Sequence, residues 1–382
     1  MAECKRCLLD DSIPGISFNE AGECSFCSFH NELAEKYSDP RDWVEQLADI
    51  VKAGRGNEYD CLIGASGGVD SSYLVYQAVE VWGLRPLVIH FDNNWNSDAA
   101  ERNLKRLKEH LGFDAVRYTF DINKMNSAFL RASVTEADIP NDIAMLTLFM
   151  EEACKRNIKY IFNGHNFRTE GTCPLGWTYM DGKYITSVCG DIGNYPNLTF
   201  WKQIKWALKR FKQVRPLYYY DDMSKKDMKE FLIQKIGFED YGGTHGENRY
   251  TAFVGCHLLP KKFGIDKRIL YFSADIRSGY LTKEQARAKL NEKVTFDEDV
   301  IREIQDRLDI SELEWKQIMK EDRRTFKDFE THHDTFVRYA PFMKLLHKMG
   351  MFSESFIKKY CVEYEFEEGT KALKNTTTEN VK

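Results

Sequence analysis

Two groups of residues in this chain have the types and spacing to do chemistry. The first lies at the N-terminus, where four of the ten cysteines fall within 27 residues as Cys4-x-x-Cys7 and Cys24-x-x-Cys27. Each CxxC presents two thiolates on a tight turn, and two such turns complete a tetrahedral metal site. Turn formers, Pro14-Gly15 and Ala21-Gly22, flank a short strand-like run at 16–18, the layout of a zinc ribbon or knuckle. Four thiolates close the coordination shell, so the expected metal is structural Zn2+. Two disulfides are the alternative, and they suit an oxidising compartment better than a cytoplasmic chain. The remaining cysteines, Cys61, Cys154, Cys173, Cys189, Cys256 and Cys361, form no second CxxC and read as buried or half-buried thiols.

The second group is Ser66-Gly67-Gly68-Val69-Asp70-Ser71-Ser72, set between an apolar run at 61–65 and a helical pattern at 73–81. A strand, a glycine-rich turn and a helix N-terminus together make an anion site, because free backbone N–H groups and the helix dipole point the same way. Gly67 and Gly68 let the backbone approach phosphate, and Ser66, Ser71 and Ser72 bring hydroxyl donors. Asp70 either organises the turn and a metal ion or caps the helix. The chain contains neither G-x-x-x-x-G-K-[ST] nor G-x-G-x-x-G, so neither a γ-phosphate lysine loop nor a dinucleotide fingerprint is present.

These residues need a scaffold, and the hydrophobic pattern supplies one. Strands are expected at 86–91, 115–120 and 159–163, with helices at 98–111 and 142–156 between them. Such alternation makes an open parallel sheet whose ligands sit beyond the strand C-terminal ends. Three polar clusters then meet at one edge: 66–72, 90–97 and 163–170. His90, Asp92 and Gly164 are candidate contacts for ATP, with Asp92 also able to orient Mg2+. Asn96, His165, Arg168, Glu170 and Arg215 are candidate substrate contacts. The segment 202–215 reads as an amphipathic helix with a solvated basic face, and His332-His333 as a solvated pair.

The C-terminal third reads as helical, with periodic segments at 297–308, 311–320 and 336–349 and capping boxes at Thr282-x-x-Gln285 and Ser311-x-x-Glu314. Its aromatic residues are expected to pack this region onto the sheet domain. The domain reading is a Cys4 zinc-binding head at 1–40, a nucleotide domain at 41–260, a helical accessory region at 261–370 and a disordered tail at 371–382. Charge and hydropathy exclude other classes. Lys and Arg total 54 against 59 Asp and Glu, a net charge of −5, which argues against a nucleic-acid surface. No apolar run approaches the roughly 18–20 residues that span a bilayer, and the first residues are charged, so a cytoplasmic protein without a membrane partner is expected.

The string SGGVDSS resembles the pyrophosphate loop of the PP-loop ATPases, which implies an adenine nucleotide alpha hydrolase-like fold and cleavage of ATP between its α- and β-phosphates. With CKRCLLDDSIPGISFNEAGECSFC, HFDNNWNS, FNGHNFRTEG, RPLYYYDDMSKKDM, KFGIDKR and SADIRSGYLTKEQA, the chain from about residue 4 to 290 resembles the N-acetyl sugar amidotransferase family. That resemblance implies bacterial surface-polysaccharide or flagellin-glycan biosynthesis, in which an acetamido group on a sugar becomes an acetamidino group. ATP would activate the acetamido oxygen as an adenylate, with Ser66 and Asp70 at the reacting phosphates, and ammonia would displace AMP. The substrate is taken as nucleotide-linked, with a free nine-carbon sugar acid left open. Position 2 is alanine and no Gly-Cys-Gly elbow occurs, so the chain carries no glutaminase nucleophile of either kind. The resemblance implies a separate glutaminase and an ammonia-conducting barrel, similar to the two subunits of imidazole glycerol phosphate synthase. The alternatives are a PP-loop tRNA thiolase, which would need further catalytic cysteines, and a non-catalytic ATP-binding scaffold.

Overall fold

A computed structural model describes residues 2–174, 177–220, 223–242, 246–294, 296–349, 354–362, 364–366 and 373–375. Short apolar runs form five parallel strands: β1 (Cys61–Gly64), β2 (Pro86–Asp92), β3 (Asp114–Thr119), β4 (Tyr160–Phe162) and β5 (Lys212–Val214). Their order is β3-β2-β1-β4-β5. The chain winds outward from β1 in one direction, then returns to build β4 and β5 on its other side. The loops after β1 and β4 therefore diverge at the switch point, where open parallel sheets bind ligands.

The central strands are buried on both faces, which is why they read as continuous apolar runs without alternation. Leu62, Leu87, Ile89 and Ile161 face one core, shared with Phe129, Ile143 and Tyr184. Cys61, Ile63, Val88, Tyr160 and Phe162 face the other, packed on Tyr73, Leu74 and Leu232. The α/β class expected from the sequence, with a parallel sheet, a four-cysteine head and a helical C-terminal region, is the class observed. The expected helix at 98–111 is present as Asp98–Leu111, capped by Ser97 at one end and by left-handed Gly112 at the other.

Three expectations need correction. The basic segment 202–215 is not one helix: Phe200–Lys209 ends where Arg210 turns to φ 52°, and Lys212–Val214 becomes the fifth strand, parallel to β4. Its alternating cations at helical spacing hid the strand. His332-His333 is not a solvated pair either. His332 Nδ1 lies 2.7 Å from the Asp181 carboxylate, and His333 is 2% exposed, its ring against Tyr179 and Phe326. Within the tail expected to be disordered, residues 373–375 pair antiparallel with 364–366, and 371–372 and 376–382 lie outside the described residues.

The four-cysteine head is not an appended bead. Cys4, Cys7, Leu9, Ile13, Cys24 and Cys27 share a single core with Tyr250, Phe253, Leu270, Ile304 and Ile318, so packing runs across the expected boundary at 260. Polar contacts reinforce it: Lys283 Nζ donates to the Cys4 carbonyl at 2.6 Å, and Leu8 N–H donates to Ser273 Oγ at 3.2 Å. Aromatic packing fastens the C-terminal region to the sheet domain as expected, with Phe326 stacked on Tyr179 at 4.2 Å. Thr282 and Gln285 make the full capping box. At the second predicted box Ser311 caps the Glu314 N–H, while the Glu314 carboxylate pairs with Arg131 at 2.6 Å.

The Sγ atoms of the head stand 3.6–3.8 Å apart across Cys24–Cys27, Cys7–Cys24 and Cys4–Cys27. A tetrahedron with Zn–S bonds of about 2.3 Å has edges of about 3.8 Å, and a disulfide would need about 2.05 Å. The donor set therefore fits structural zinc. The N–H groups of Cys7 and Cys24 donate to Cys4 Sγ at 3.5 and 3.3 Å. Because the head is part of a larger core, Cys27→Ser should lose metal and lower the unfolding midpoint together, the latter by about 5 °C or more. Metal analysis and calorimetry on the same sample check this, and full zinc content in the variant would refute the site.

Candidate active site

The loop after β1 is shaped by a steric constraint. Gly67 adopts φ 79°, and a Cβ there would lie 2.4 Å from the Ala100 carbonyl oxygen. Only glycine serves, because the turn is pressed against the start of the helix Asp98–Leu111. The helix Val69–Tyr76 then begins directly from Gly68. Serine hydroxyls brace the turn: Ser71 Oγ accepts from Ser66 N–H and donates to the Gly68 carbonyl, both at 3.2 Å. Ser66 Oγ accepts from Gly68 N–H at 3.2 Å. The Val69 N–H is met by the Tyr241 hydroxyl at 3.2 Å.

A cavity of about 560 Å³ opens over this turn. Of the candidate residues, Ser66, Gly68, Val69, Asp70, Ser71, Asn96, Gly164, His165 and Glu170 line it. Gly67 and Ser72 form its buried support and do not line it. His90 lies beneath, its Nδ1 2.8 Å from the Ala65 carbonyl and its Nε2 2.9 Å from Asn96 Nδ2. Asp92 also faces away: Arg117 donates to it at 2.6 and 3.0 Å and to Glu101 at 2.7 Å. Burial opposes ionisation of Asp92, and Arg117 outweighs it, so the carboxyl sits below its ordinary range. Arg117 bridges Asp92 and Glu101, so one guanidinium already engages both carboxylates of the His90–Asp92–Glu101 cluster.

Neither candidate arginine reaches the cavity. Arg168 is 6% exposed, its guanidinium 4.7 Å from the Phe167 ring on the side of the four-cysteine head. Arg215 lies behind Tyr218, 5.4 Å from that ring. The cation at the loop is Lys225, first residue of the helix Lys225–Ile236, whose Nζ is 2.8 Å from Asp70 Oδ2 and 3.8 Å from Glu170 Oε1. Burial alone would lower its pKa; the carboxylates of Asp70 and Glu170 outweigh burial and keep it well above the ordinary lysine value. His165 contacts the Tyr218 hydroxyl at 2.9 Å, and burial depresses its pKa, favouring the neutral ring. In sequence Ser224-Lys225-Lys226-Asp227 reads only as a helix start, and Ser224 with Asp227 does form a capping box, so nothing local marks Lys225 as a site residue.

Further lining residues come from segments with no motif of their own: Asp138, Asn141 and Asp142 near the start of the helix Ile139–Lys155, and Glu247, Asn248 and Thr251 near the start of the helix Arg249–Phe253. Among the described lining residues none is a cysteine. The donor set suits Mg2+ as well as phosphate: Asp70 Oδ1 is a buried oxygen with no hydrogen-bond partner, beside the Oδ2 that holds Lys225.

Residues 247–346 match a family model described as LPS biosynthesis protein WbpG-like, C-terminal domain. No curated protein matches the chain. Similar solved structures include NH3-dependent NAD synthetase from Campylobacter jejuni subsp. jejuni, at TM-score 0.32 and 11% identity over 77% of this chain and 97% of that one. Another is the U34-tRNA thiolase NcsA from Methanococcus maripaludis with its [4Fe-4S] cluster, at 0.31 and 13% over 78% and 95%. A third is NMN synthetase from Francisella tularensis, at 0.28 and 15% over 56% and 92%. Superpositions this loose transfer no residue role, and the fold stands on its own strand order and loop.

The constraint at Gly67 gives a direct test of the anion site. Gly67→Ala should weaken ATP binding by about tenfold or more while costing on the order of 1–3 kcal/mol of stability. Calorimetric titration with ATP and a thermal melt measure the two effects separately. ATP affinity equal to that of the unaltered protein would remove this turn from the nucleotide site.

Proposed function

We propose that this chain is an ATP-dependent, AMP-forming amidotransferase that converts the acetamido group of an N-acetylated, nucleotide-linked sugar to an acetamidino group. One observation carries the reading. The segment that matches the WbpG-like domain supplies Glu247, Asn248 and Thr251 to the same cavity that the Ser66–Ser71 turn and Lys225 line. A nucleotide-type loop and a polysaccharide-biosynthesis segment thus build one site. Lipopolysaccharide assembly is the setting this reading implies, with O-antigen sugars as the substrates.

An amide carbonyl carbon is a poor electrophile, and its oxygen a poor leaving group, at neutral pH. In the proposed reaction the acetamido oxygen attacks the α-phosphorus of ATP and pyrophosphate departs, leaving an O-adenylyl imidate. Ammonia adds to the imidate carbon, AMP leaves with the oxygen, and a C=NH bond remains. The turn amides, Ser66, Ser71 and Lys225 would bind the departing pyrophosphate, where fixed donors stabilise developing charge without reorganising. Asp70 would position Lys225 and hold Mg2+, which when bound supplies charge neutralisation at the phosphates. His165, kept neutral by burial, can accept a proton at a ring nitrogen. A partner glutaminase, working through an ammonia-conducting barrel, would supply the nitrogen.

Thiolation is disfavoured by the absence of cysteine among the described cavity-lining residues. A non-catalytic scaffold differs in outcome, since it would bind ATP and release no AMP. Incubation with ATP, ammonium and UDP-linked N-acetyl sugars should give AMP and pyrophosphate in step with a product about one mass unit lighter. Asp70→Ala and Ser66→Ala should each lower kcat by about a hundredfold or more. Sulfur-dependent AMP formation on tRNA would replace this reading with thiolation. No AMP from any sugar, even with a glutaminase pair added, would leave the scaffold.

A further inference from the structure

No described residue of the helix Phe200–Lys209 lines the cavity. Its inner face is anchored by Trp206, buried in the core that Ile143 and Ile161 share. Its outer face is apolar where water would be expected. Trp201 is 76% exposed, Leu208 71% and Phe200 46%. Trp201, Lys205 and Leu208 stand four and three positions apart, which places them on one side of a helix. The rings of Phe200 and Trp201 meet edge to face at 5.8 Å. A single exposed apolar side chain is ordinary. An indole and a leucine aligned on one face, with a phenyl ring beside them, make a contact patch.

Cations frame this patch. Residues 200–215 hold six Lys and Arg and no Asp or Glu, in a chain of net charge −5. Lys202 pairs with Glu151 at 2.7 Å, whereas Lys205, Lys209, Arg210 and Lys212 are exposed. Arg210, at φ 52°, turns the chain so that Lys212 opens β5 at the edge of the sheet. The Lys212 N–H donates to the Lys159 carbonyl at 2.9 Å, which brings a further exposed lysine to the same edge.

The composition selects an occupant. Protein interfaces enrich arginine and deplete lysine, yet of these five exposed cations Lys159, Lys205, Lys209 and Lys212 are lysines and only Arg210 is an arginine. Single-stranded nucleic acid stacks on aromatic rings, and Leu208 offers none. An anionic bilayer suits both halves of the patch. Indole and leucine enter the interfacial zone, while lysine stems lie along apolar surface and carry their charge to lipid phosphates.

We propose that the outer face of the helix Phe200–Lys209, with the cations where β4 and β5 begin, is a docking surface for an anionic phospholipid bilayer. The protein rests on that bilayer without crossing it. No helix among the described residues is long and apolar enough to span a membrane, and surface binding requires none. This revises the expectation of a protein without a membrane partner, and it is independent of the amidotransferase reading.

Vesicle sedimentation with the full zinc-loaded chain tests it. Binding to phosphatidylcholine vesicles carrying about 30% phosphatidylglycerol should exceed binding to pure phosphatidylcholine by about tenfold or more. It should fall by a similar factor when salt rises from about 0.1 to about 0.5 M. Lys205→Glu combined with Lys209→Glu should weaken binding about tenfold or more, and Trp201→Ser about fivefold. Brominated lipid should quench tryptophan emission, and Trp201→Phe should remove most of that quenching. These side chains are exposed, so melting temperature and ATP affinity should not change. Lys105→Glu combined with Lys316→Glu, at exposed positions on other helices, makes the same charge change and should leave vesicle binding within about twofold. No preference for phosphatidylglycerol, undiminished binding in both helix variants, or an equal loss in the control pair would each overturn the surface. Tight binding of polyglutamate with vesicles left unbound would reassign the face to an acidic protein partner and overturn the bilayer.

Discussion

The ammonium of Lys225, between the carboxylates of Asp70 and Glu170, is the interaction on which the site depends. It joins the turn after β1, the loop after β4 and the N-terminal end of the helix Lys225–Ile236, three segments far apart in the chain. Without it two carboxylates would face each other in a partly desolvated cleft, where like charges resist joint ionisation. With it the glycine-rich turn carries a cation beside the helix N-terminus, and Asp70 keeps a second oxygen unengaged by hydrogen bonds. Desolvation of the two groups offsets much of their mutual attraction, so the pair is weak evidence for stability. Its importance is positional, because it sets where charge of each sign meets a ligand.

The four-cysteine head is coupled to the same loop through packing. Four thiolates around a dication leave a net charge of about −2, and Arg277, 7% exposed, donates to Cys7 Sγ at 3.7 Å. The same guanidinium borders Gly171, where a Cβ would stand 3.2 Å from Arg277 Nη2 and 3.1 Å from the Leu270 carbonyl. Gly171, at φ 68°, lets the turn that carries Glu170 lie against the helix Arg268–Arg277. His30, beside Cys27, meets Phe167 of that turn edge-on at 5.0 Å. The four-cysteine head thereby fixes the position of a cavity residue without touching the cavity.

Much of this was legible in local sequence because the signals are local. The helix Asp98–Leu111 has its cap serine and its terminal glycine inside the segment they bound. The phosphate turn carries its own glycines and serines, and the paired CxxC spacing fits a tetrahedron. The errors have a common cause. At 202–215 a helical charge pattern masked three residues whose strand identity comes only from pairing with β4. At His332-His333 a charged neighbourhood suggested solvent, whereas Asp181, 151 positions away, receives the ring. Arg168 and Arg215 follow strand ends, yet both turn to aromatic rings behind the cavity.

The sequence by itself therefore determined the fold class, through the alternation of apolar strand runs and helical patterns, and it placed the four-cysteine cluster and the glycine-rich turn, each encoded by residues within about 30 positions of one another. Tertiary structure alone decided which polar residues share the cavity. Asn93, Asp138, Asn141, Lys225 and Asn248 have ordinary neighbours and no diagnostic spacing. They become a site because parallel strands deliver their following loops to one edge, and hydrogen bonds across more than a hundred residues lock them there.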